Sequence, residues 1–170
     1  MSSKIEAFKE KVLQAQQEGD IASLYILEQE AHETLEEGDI AGFYANILEL
    51  ALENLTNALE SARRFKLDEV QDFATIRALY EYAIEHYSAG SVSDGAALFE
   101  ILEGLTEDEA FSQAMKIHQL GANEGLNFED FLEKIADIEA TQEVGTFYIS
   151  CFSDDAKHLL NIAQVSEGAQ

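Results

Sequence analysis

Cysteine is almost absent from this sequence, and long apolar runs are absent altogether. A single cysteine, Cys151, stands among 170 residues, so an internal disulfide is excluded. Such sparse cysteine is typical of a reduced, cytosolic setting. No apolar run approaches the roughly 20 residues that cross a bilayer, and the first residues, MSSKIEAFKEK, lack the apolar core of a signal peptide. We therefore expect a cytoplasmic protein with no membrane partner.

Basic residues are also scarce. Ten Lys and Arg residues stand against 34 Asp and Glu, which gives a formal net charge of −24. Residues 1–66 carry a net charge of −7, whereas residues 67–170 carry −17. A surface of this charge repels nucleic acid and anionic membranes. Two interpretations stay open: a solvated surface that keeps the protein soluble, or an acidic face that awaits a basic partner.

The residue patterns of common active sites are missing as well. None of the four histidines follows a glutamate by three positions, so the Glu-x-x-His motif of di-iron bundles is absent. No phosphate-binding glycine loop, calcium loop or nucleophile elbow occurs. Cys151 follows the apolar stretch TFYIS, which favours a buried, inert thiol over a nucleophile. We therefore predict that the protein is not an enzyme and holds no metal or cofactor.

What the sequence does contain is helical periodicity, beginning with three helices over residues 1–66. Gly19 ends the first helix and Asp20 caps the second, and Gly38 with Asp39 repeats this turn. The string EGDIASLY, which begins at Glu18, recurs as EGDIAGFY from Glu37, either through shared capping chemistry or as a decayed duplication. The three helices are predicted over residues 3–17, 21–36 and 41–66.

The third of these helices has an unusually wide apolar face. Apolar residues cover more than half of its circumference, whereas a stripe of about 100° suffices on the surface of a monomer. Because a leftover apolar patch on a soluble protein usually marks an interface, we predict a homodimer built on residues 1–66. The basic cluster at residues 63–66 is interpreted as favourable charge at the helix C-terminus. The candidate interface residues are Phe43, Ile47, Leu50 and Leu55.

The second half of the chain predicts successive helical hairpins. The clearest spans residues 70–104, where two apolar stripes at helical spacing flank the break Ala89-Gly90-Ser91. The turn-proximal glycines Gly90 and Gly121 are separated by one hairpin length, which indicates a repeating unit. A Thr106 cap is predicted to open the next helix. Two further hairpins are predicted near residues 107–139 and 142–166, the last joining helices over residues 142–152 and 154–165.

The order of large and small residues in the first hairpin resembles a tetratricopeptide (TPR) unit, a helix-turn-helix repeat of about 34 residues. Leu79 stands where the signature has tryptophan, and Gly95 stands where it has alanine. The closing proline is missing, as it is from the whole chain. The small residues allow the two helices to approach closely. We therefore predict an all-α protein with a short TPR-like array over residues 67–170 and a helical region over residues 1–66.

The string LYEYAIEHYSAGSVSDGAALFEILEGL, which begins at Leu79, resembles the first repeat of the type III secretion translocator chaperones. The resemblance implies a small cytoplasmic, dimeric protein that holds a client segment in a concave groove. In such an array, Tyr80, Tyr87 and His118 would face the groove and bind the peptide. A non-enzymatic peptide-binding module is thus the leading hypothesis. The alternatives are an acidic mimic of nucleic acid that inhibits a basic DNA-binding protein, and a structural helical bundle in a larger assembly.

Overall fold

The computed structural model of the protein describes residues 2–168, and within that range the side chains of residues 3–161. Helices make up 78% of the chain and no described residue belongs to a strand, so the predicted all-α class is confirmed. The described residues form the helices α1 (Ser2–Glu18), α2 (Ile21–Ile26), α3 (Glu28–Thr34), α4 (Glu37–Ser61), α5 (Val70–Ser88), α6 (Val92–Leu105), α7 (Glu109–Asn123), α8 (Phe128–Lys134), α9 (Ile138–Val144) and α10 (Asp154–Gly168).

The chain divides into two compact units, Met1–Leu79 and Tyr80–Gln170, and the boundary falls inside helix α5. The sequence pattern placed the division at residue 66, in the connector between α4 and α5. A helix can continue through a boundary because its backbone hydrogen bonds are local. A division of this kind leaves no break in the sequence, and the predicted domains over residues 1–66 and 67–170 stay a prediction.

In the first unit, the turn between α1 and α2 forms as predicted. Gly19 adopts a φ of +67°, and the Asp20 carboxylate accepts the Ser23 N–H at 3.0 Å as the N-cap of α2. The Gln71 side chain of α5 also donates to Asp20, at 2.6 Å, which ties the start of α2 to α5. Hydrogen bonds from the Ser23 hydroxyl, then from Gln71, lower the pKa of Asp20 below its ordinary value.

Two other predicted features of this region are wrong. The second helix is not continuous, because it ends at Ile26 and α3 begins at Glu28. Gly38 and Asp39 form no turn, because both lie in the first turns of α4. Glycine in a helix costs only about 1 kcal/mol relative to alanine, so neighbouring interactions can keep it helical.

Helix α4 ends at Ser61, earlier than predicted, because Ala62 turns into the left-handed conformation with φ of 55°. The basic cluster therefore lies just beyond the helix and not, as predicted, in its last turn. Arg63 instead donates hydrogen bonds of 3.0 and 3.1 Å to the two carboxylate oxygens of Asp72 on α5. Asp72 is buried and also accepts the Lys66 N–H at 2.8 Å. One buried carboxylate thus holds the connector between α4 and α5.

Most of the apolar face of α4 is covered within its own unit. Of the predicted dimer-interface residues, Phe43, Ile47 and Leu55 are buried and Leu50 is half-buried. The ring centroid of Phe8 on α1 lies 6.3 Å from the ring centroid of Phe43. These residues therefore build the core of one chain, and the dimer itself stays a prediction.

The second unit contains the predicted turn and helix crossing between α5 and α6. Gly90 ends α5 with a φ of +92°. On α6, a Cβ added at Gly95 would lie 3.2 Å from the Tyr87 Cβ, so the two helices approach closely at this point. The small residue at the crossing was predicted from the sequence. It allows the ring of Tyr87 to reach the core of the unit.

The rest of the second unit departs from the predicted hairpins. Helix α7 is capped by the Asp108 side chain rather than by Thr106, and the Asn127 side chain caps α8. The predicted helix over residues 142–152 is wrong: α9 ends at Val144, and residues 145–153 are non-helical. We call residues 145–153 the aromatic strap, because they carry Phe147, Tyr148 and Phe152. The TPR-like array stays a prediction.

Gly121, on α7, packs directly against the ring of Phe131 on α8. A Cβ there would sit 2.7 Å from the Phe131 Cδ2, in a fully buried ring. We expect Gly121→Ala to lower the free energy of unfolding by about 1–2 kcal/mol, because the added methyl overpacks this contact. Gly104→Ala on α6 is the control, because no atom beyond the local helix backbone lies within 4 Å of the added Cβ. This variant should raise the free energy of unfolding by up to about 1 kcal/mol, since alanine has the higher helix propensity. Urea unfolding measures both, and equal stabilities would contradict the contact.

Candidate functional site

The three predicted groove residues, Tyr80, Tyr87 and His118, lie together in the core of the second unit. Their side chains pack around Phe99 and Phe131, and their residues are exposed by only 4%, 1% and 0%. They therefore do not line an open groove in this structure, because the aromatic rings fill one shared core. Their role in peptide binding stays a prediction that this packing does not favour.

Tyr80 and His118 belong to a buried chain of hydrogen bonds. His118 Nδ1 lies 2.6 Å from the Ala114 carbonyl oxygen, which can only accept, so Nδ1 carries the proton. Nε2 of the neutral ring then accepts from the Tyr80 hydroxyl at 2.9 Å. The same hydroxyl oxygen accepts the Ile149 N–H at 3.0 Å, from the aromatic strap. Helices α5 and α7 and the strap are thus joined through one tyrosine.

The surroundings of this pair keep it uncharged. The ring centroids of Phe99 and Phe131 each lie 4.9 Å from that of His118. Burial lowers the pKa of His118 to about 4, against the opposing effect of its hydrogen bond to Ala114. Burial likewise raises the pKa of Tyr80 above its ordinary value. General acid–base catalysis needs contact with a substrate, which these enclosed side chains do not offer.

Other reactive groups are dispersed. Within the described part of the chain, no three His, Cys, Asp or Glu side chains are grouped so that they could hold a metal ion. Cys151 is half-buried rather than buried, and its thiol lies 3.8 Å from the Ser150 hydroxyl. No helix among the described residues has both the length and the apolar character to cross a membrane.

An open apolar cleft lies in the first unit, between α2, the α4–α5 connector and the start of α5. Its volume is about 420 Å³. Three apolar residues on its walls are solvent-exposed: Ile26 by 80%, Val70 by 70% and Phe73 by 41%. We call this surface the α2–α5 cleft and define it by Tyr25, Ile26, Asp68, Val70, Phe73 and Arg77.

The first half of α5 has two apolar faces, and this explains the cleft. Ile76 and Leu79 are buried in the core. Val70, Phe73 and Arg77 follow one another at spacings of three and four, so they share a different face. This second stripe was present in the sequence and could have identified the site. The residues predicted to line a groove were instead chosen among the aromatic residues of the second unit.

The two charged residues of the cleft differ in their surroundings. The Arg77 guanidinium lies 4.0 Å from the centroid of the Tyr25 ring and 3.4 Å from a carboxylate oxygen of Glu28. Arg77 is therefore anchored, and its aliphatic stem adds to the apolar wall. Asp68 is exposed and forms no ion pair with any described residue. It leaves one unneutralised negative charge at the cleft.

Comparisons with known proteins indicate no family for this chain. The chain matches no protein-family model, no curated protein and no solved structure. Fold and surface together define an all-α protein with an open apolar cleft on its N-terminal unit.

Proposed function

We propose that the protein is a non-enzymatic binding module that holds a segment of a partner protein in the α2–α5 cleft. The observation that carries this proposal is the exposure of Ile26, Val70 and Phe73 around one concave surface. Exposed apolar side chains that share a concavity are typical of interaction sites. The helices that carry them are held in place by buried residues on other faces, such as Leu24 and Ile76. The anchoring surface is therefore pre-organised.

The partner that fits is a basic segment with apolar anchors. A chain of net charge −24 attracts a basic partner and repels an acidic one. At the cleft itself, Asp68 can accept a lysine or arginine of the partner. An amphipathic helix with apolar residues three and four apart, flanked by basic residues, meets both requirements. A secretion chaperone is the most specific form of this proposal, and it rests on the resemblance of residues 79–105.

Binding through the cleft predicts a selective loss in the Phe73→Asp variant. The probe is an amphipathic peptide with leucine anchors and lysine flanks, and its glutamate-flanked counterpart is the comparison. We expect the lysine peptide to bind, and Phe73→Asp to weaken binding by about tenfold or more, because it places a charge in the apolar contact. Asp68→Asn should weaken the lysine peptide by less, since an exposed ion pair contributes at most about 1 kcal/mol. Fluorescence anisotropy on the full chain measures these affinities.

Ile101→Asp is the matched control for this experiment. Ile101 lies on α6, outside the cleft, and its exposed fraction of 41% equals that of Phe73. It should leave peptide binding unchanged. Equal losses in both variants, or equal binding of both peptides, would contradict the proposal. Binding that depends only on the net charge of the peptide, and that is unaffected by Phe73→Asp, would instead support the acidic-mimic alternative.

A further inference from the structure

The first unit has a second open groove, between α1 and the start of α4, with a volume of about 440 Å³. We call it the α1–α4 groove and define it by Lys9, Val12, Leu13, Asp39 and Gly42. On the α1 wall, Leu13 is 53% exposed. On the α4 wall, no atom beyond the local backbone of α4 and the residues adjacent to Gly42 lies within 4 Å of the position of a Cβ at Gly42. One wall therefore carries an apolar projection, and the other has an open gap.

The two walls also carry opposite charges. Lys9 belongs to α1 and Asp39 to α4, and neither forms an ion pair with a described residue. Three lysines balance three glutamates along α1, so this helix is neutral in a chain of net charge −24. The neutral helix removes the repulsion that a second acidic chain would meet elsewhere.

We propose that the α1–α4 groove is the interface between two copies of this chain. A two-fold axis that runs along the groove places α1 of each copy over α4 of the other. Leu13 of one copy then enters the gap above Gly42 of the other, and Lys9 meets Asp39 across the interface. The groove is complementary to itself in shape and in charge, which a purely basic partner could not match because of Lys9.

This interface differs from the one predicted from the sequence. Only Phe43 of the four predicted residues lines the groove, at its buried floor. The inference is independent of the proposed function, because none of the residues that define the α2–α5 cleft lines the groove.

Gly42→Leu separates dimer formation from folding. In a single chain the new side chain enters open space and replaces a helical glycine, so the fold should be retained. In the dimer it occupies the space of Leu13 from the other copy. We expect the dimer dissociation constant, measured by sedimentation equilibrium on the full chain, to rise by about tenfold or more. Gly104→Leu, on α6 and equally open, is the matched control and should leave the constant unchanged.

A charge exchange tests the pairing itself. Lys9→Glu and Asp39→Lys each set like charges against each other twice in a two-fold dimer, so each should weaken association several-fold. The double variant restores opposite charges and should recover affinity close to that of the original chain. Three results would overturn the proposal: a monomer at concentrations up to about 1 mM, a dimer indifferent to Gly42→Leu, or a double variant no tighter than the single ones. Circular dichroism confirms that each variant is folded.

Discussion

Replacing Tyr80 by phenylalanine is expected to lower the free energy of unfolding by about 2–4 kcal/mol, because the loss of one hydroxyl leaves two groups without partners. His118 Nε2 loses its donor in a fully buried site, and the half-buried Ile149 N–H loses its acceptor. An unsatisfied buried polar group costs about 1–3 kcal/mol, and the Ile149 N–H should lie at the low end because water can approach it.

Tyr82→Phe is the matched control for this prediction. Tyr82 lies two residues further along α5, is half-buried, and its hydroxyl makes no hydrogen bond with a described residue. Its replacement should change the free energy of unfolding by less than about 0.5 kcal/mol. The double variant Tyr80→Phe/His118→Leu should lose less than the sum of its single variants, since both partners of one bond are removed together. Equal losses in Tyr80→Phe and Tyr82→Phe, measured in urea, would contradict the network.

Turn chemistry explains which helix boundaries could be predicted from the sequence. Gly19 and Gly90 adopt positive φ values, a conformation that glycine reaches without strain, so they mark true ends of helices. Gly38 has no such conformation and is an ordinary helical residue, which the sequence alone does not distinguish. The interruption at Leu27 carries no glycine, proline or side-chain cap, so no local signal announces it.

The aromatic strap could not be predicted because its partners are distant in sequence. The Thr141 hydroxyl accepts the Cys151 N–H at 3.0 Å, and the Ile135 carbonyl accepts the Ser153 N–H at 2.7 Å. These bonds replace the ones that a helix over residues 142–152 would form. The apolar pattern of the segment fits either structure, because a short apolar run does not distinguish a helix from a non-helical segment. In the strap only Tyr148 is buried, and residues 146–147 and 149–153 are half-buried.

The candidate site was missed for a related reason. An aromatic residue on a helix face can fill the core or line a groove, and periodicity does not separate the two. Tyr80 and Tyr87 fill the core because they pack against Phe99 and other rings of the same unit. Ile26 is exposed at the last residue of α2, and the sequence did not reveal this helix end. Only the stripe formed by Val70 and Phe73 was accessible to prediction.

Acidification from pH 7 to pH 5 is expected to destabilise the second unit through His118, by about 2 kcal/mol. Burial lowers the pKa of His118 from its ordinary 6.5 to about 4. Below pH 6.5 the unfolded chain therefore binds a proton that the folded chain does not. The stabilisation is complete above pH 6.5, falls by up to about 1.4 kcal/mol per pH unit, and stops falling near pH 4.

The excess of carboxylates should act in the opposite direction at lower pH, except for Asp20, whose lowered pKa makes its own protonation destabilising. Protonation of the other carboxylates relieves repulsion in a chain of net charge −24, and their ordinary pKa values lie near 4. Urea unfolding between pH 7 and pH 5 therefore measures the contribution of His118 to the free energy of unfolding, apart from that of the carboxylates. His118→Gln should lose stability at pH 7 yet show a flatter pH dependence, whereas the exposed His158→Gln should keep the original slope. If the free energy of unfolding depended on pH equally in the unchanged chain and in His118→Gln, the acid sensitivity would belong to another group. A difference between the two chains is expected only if His118 must stay neutral in the folded state.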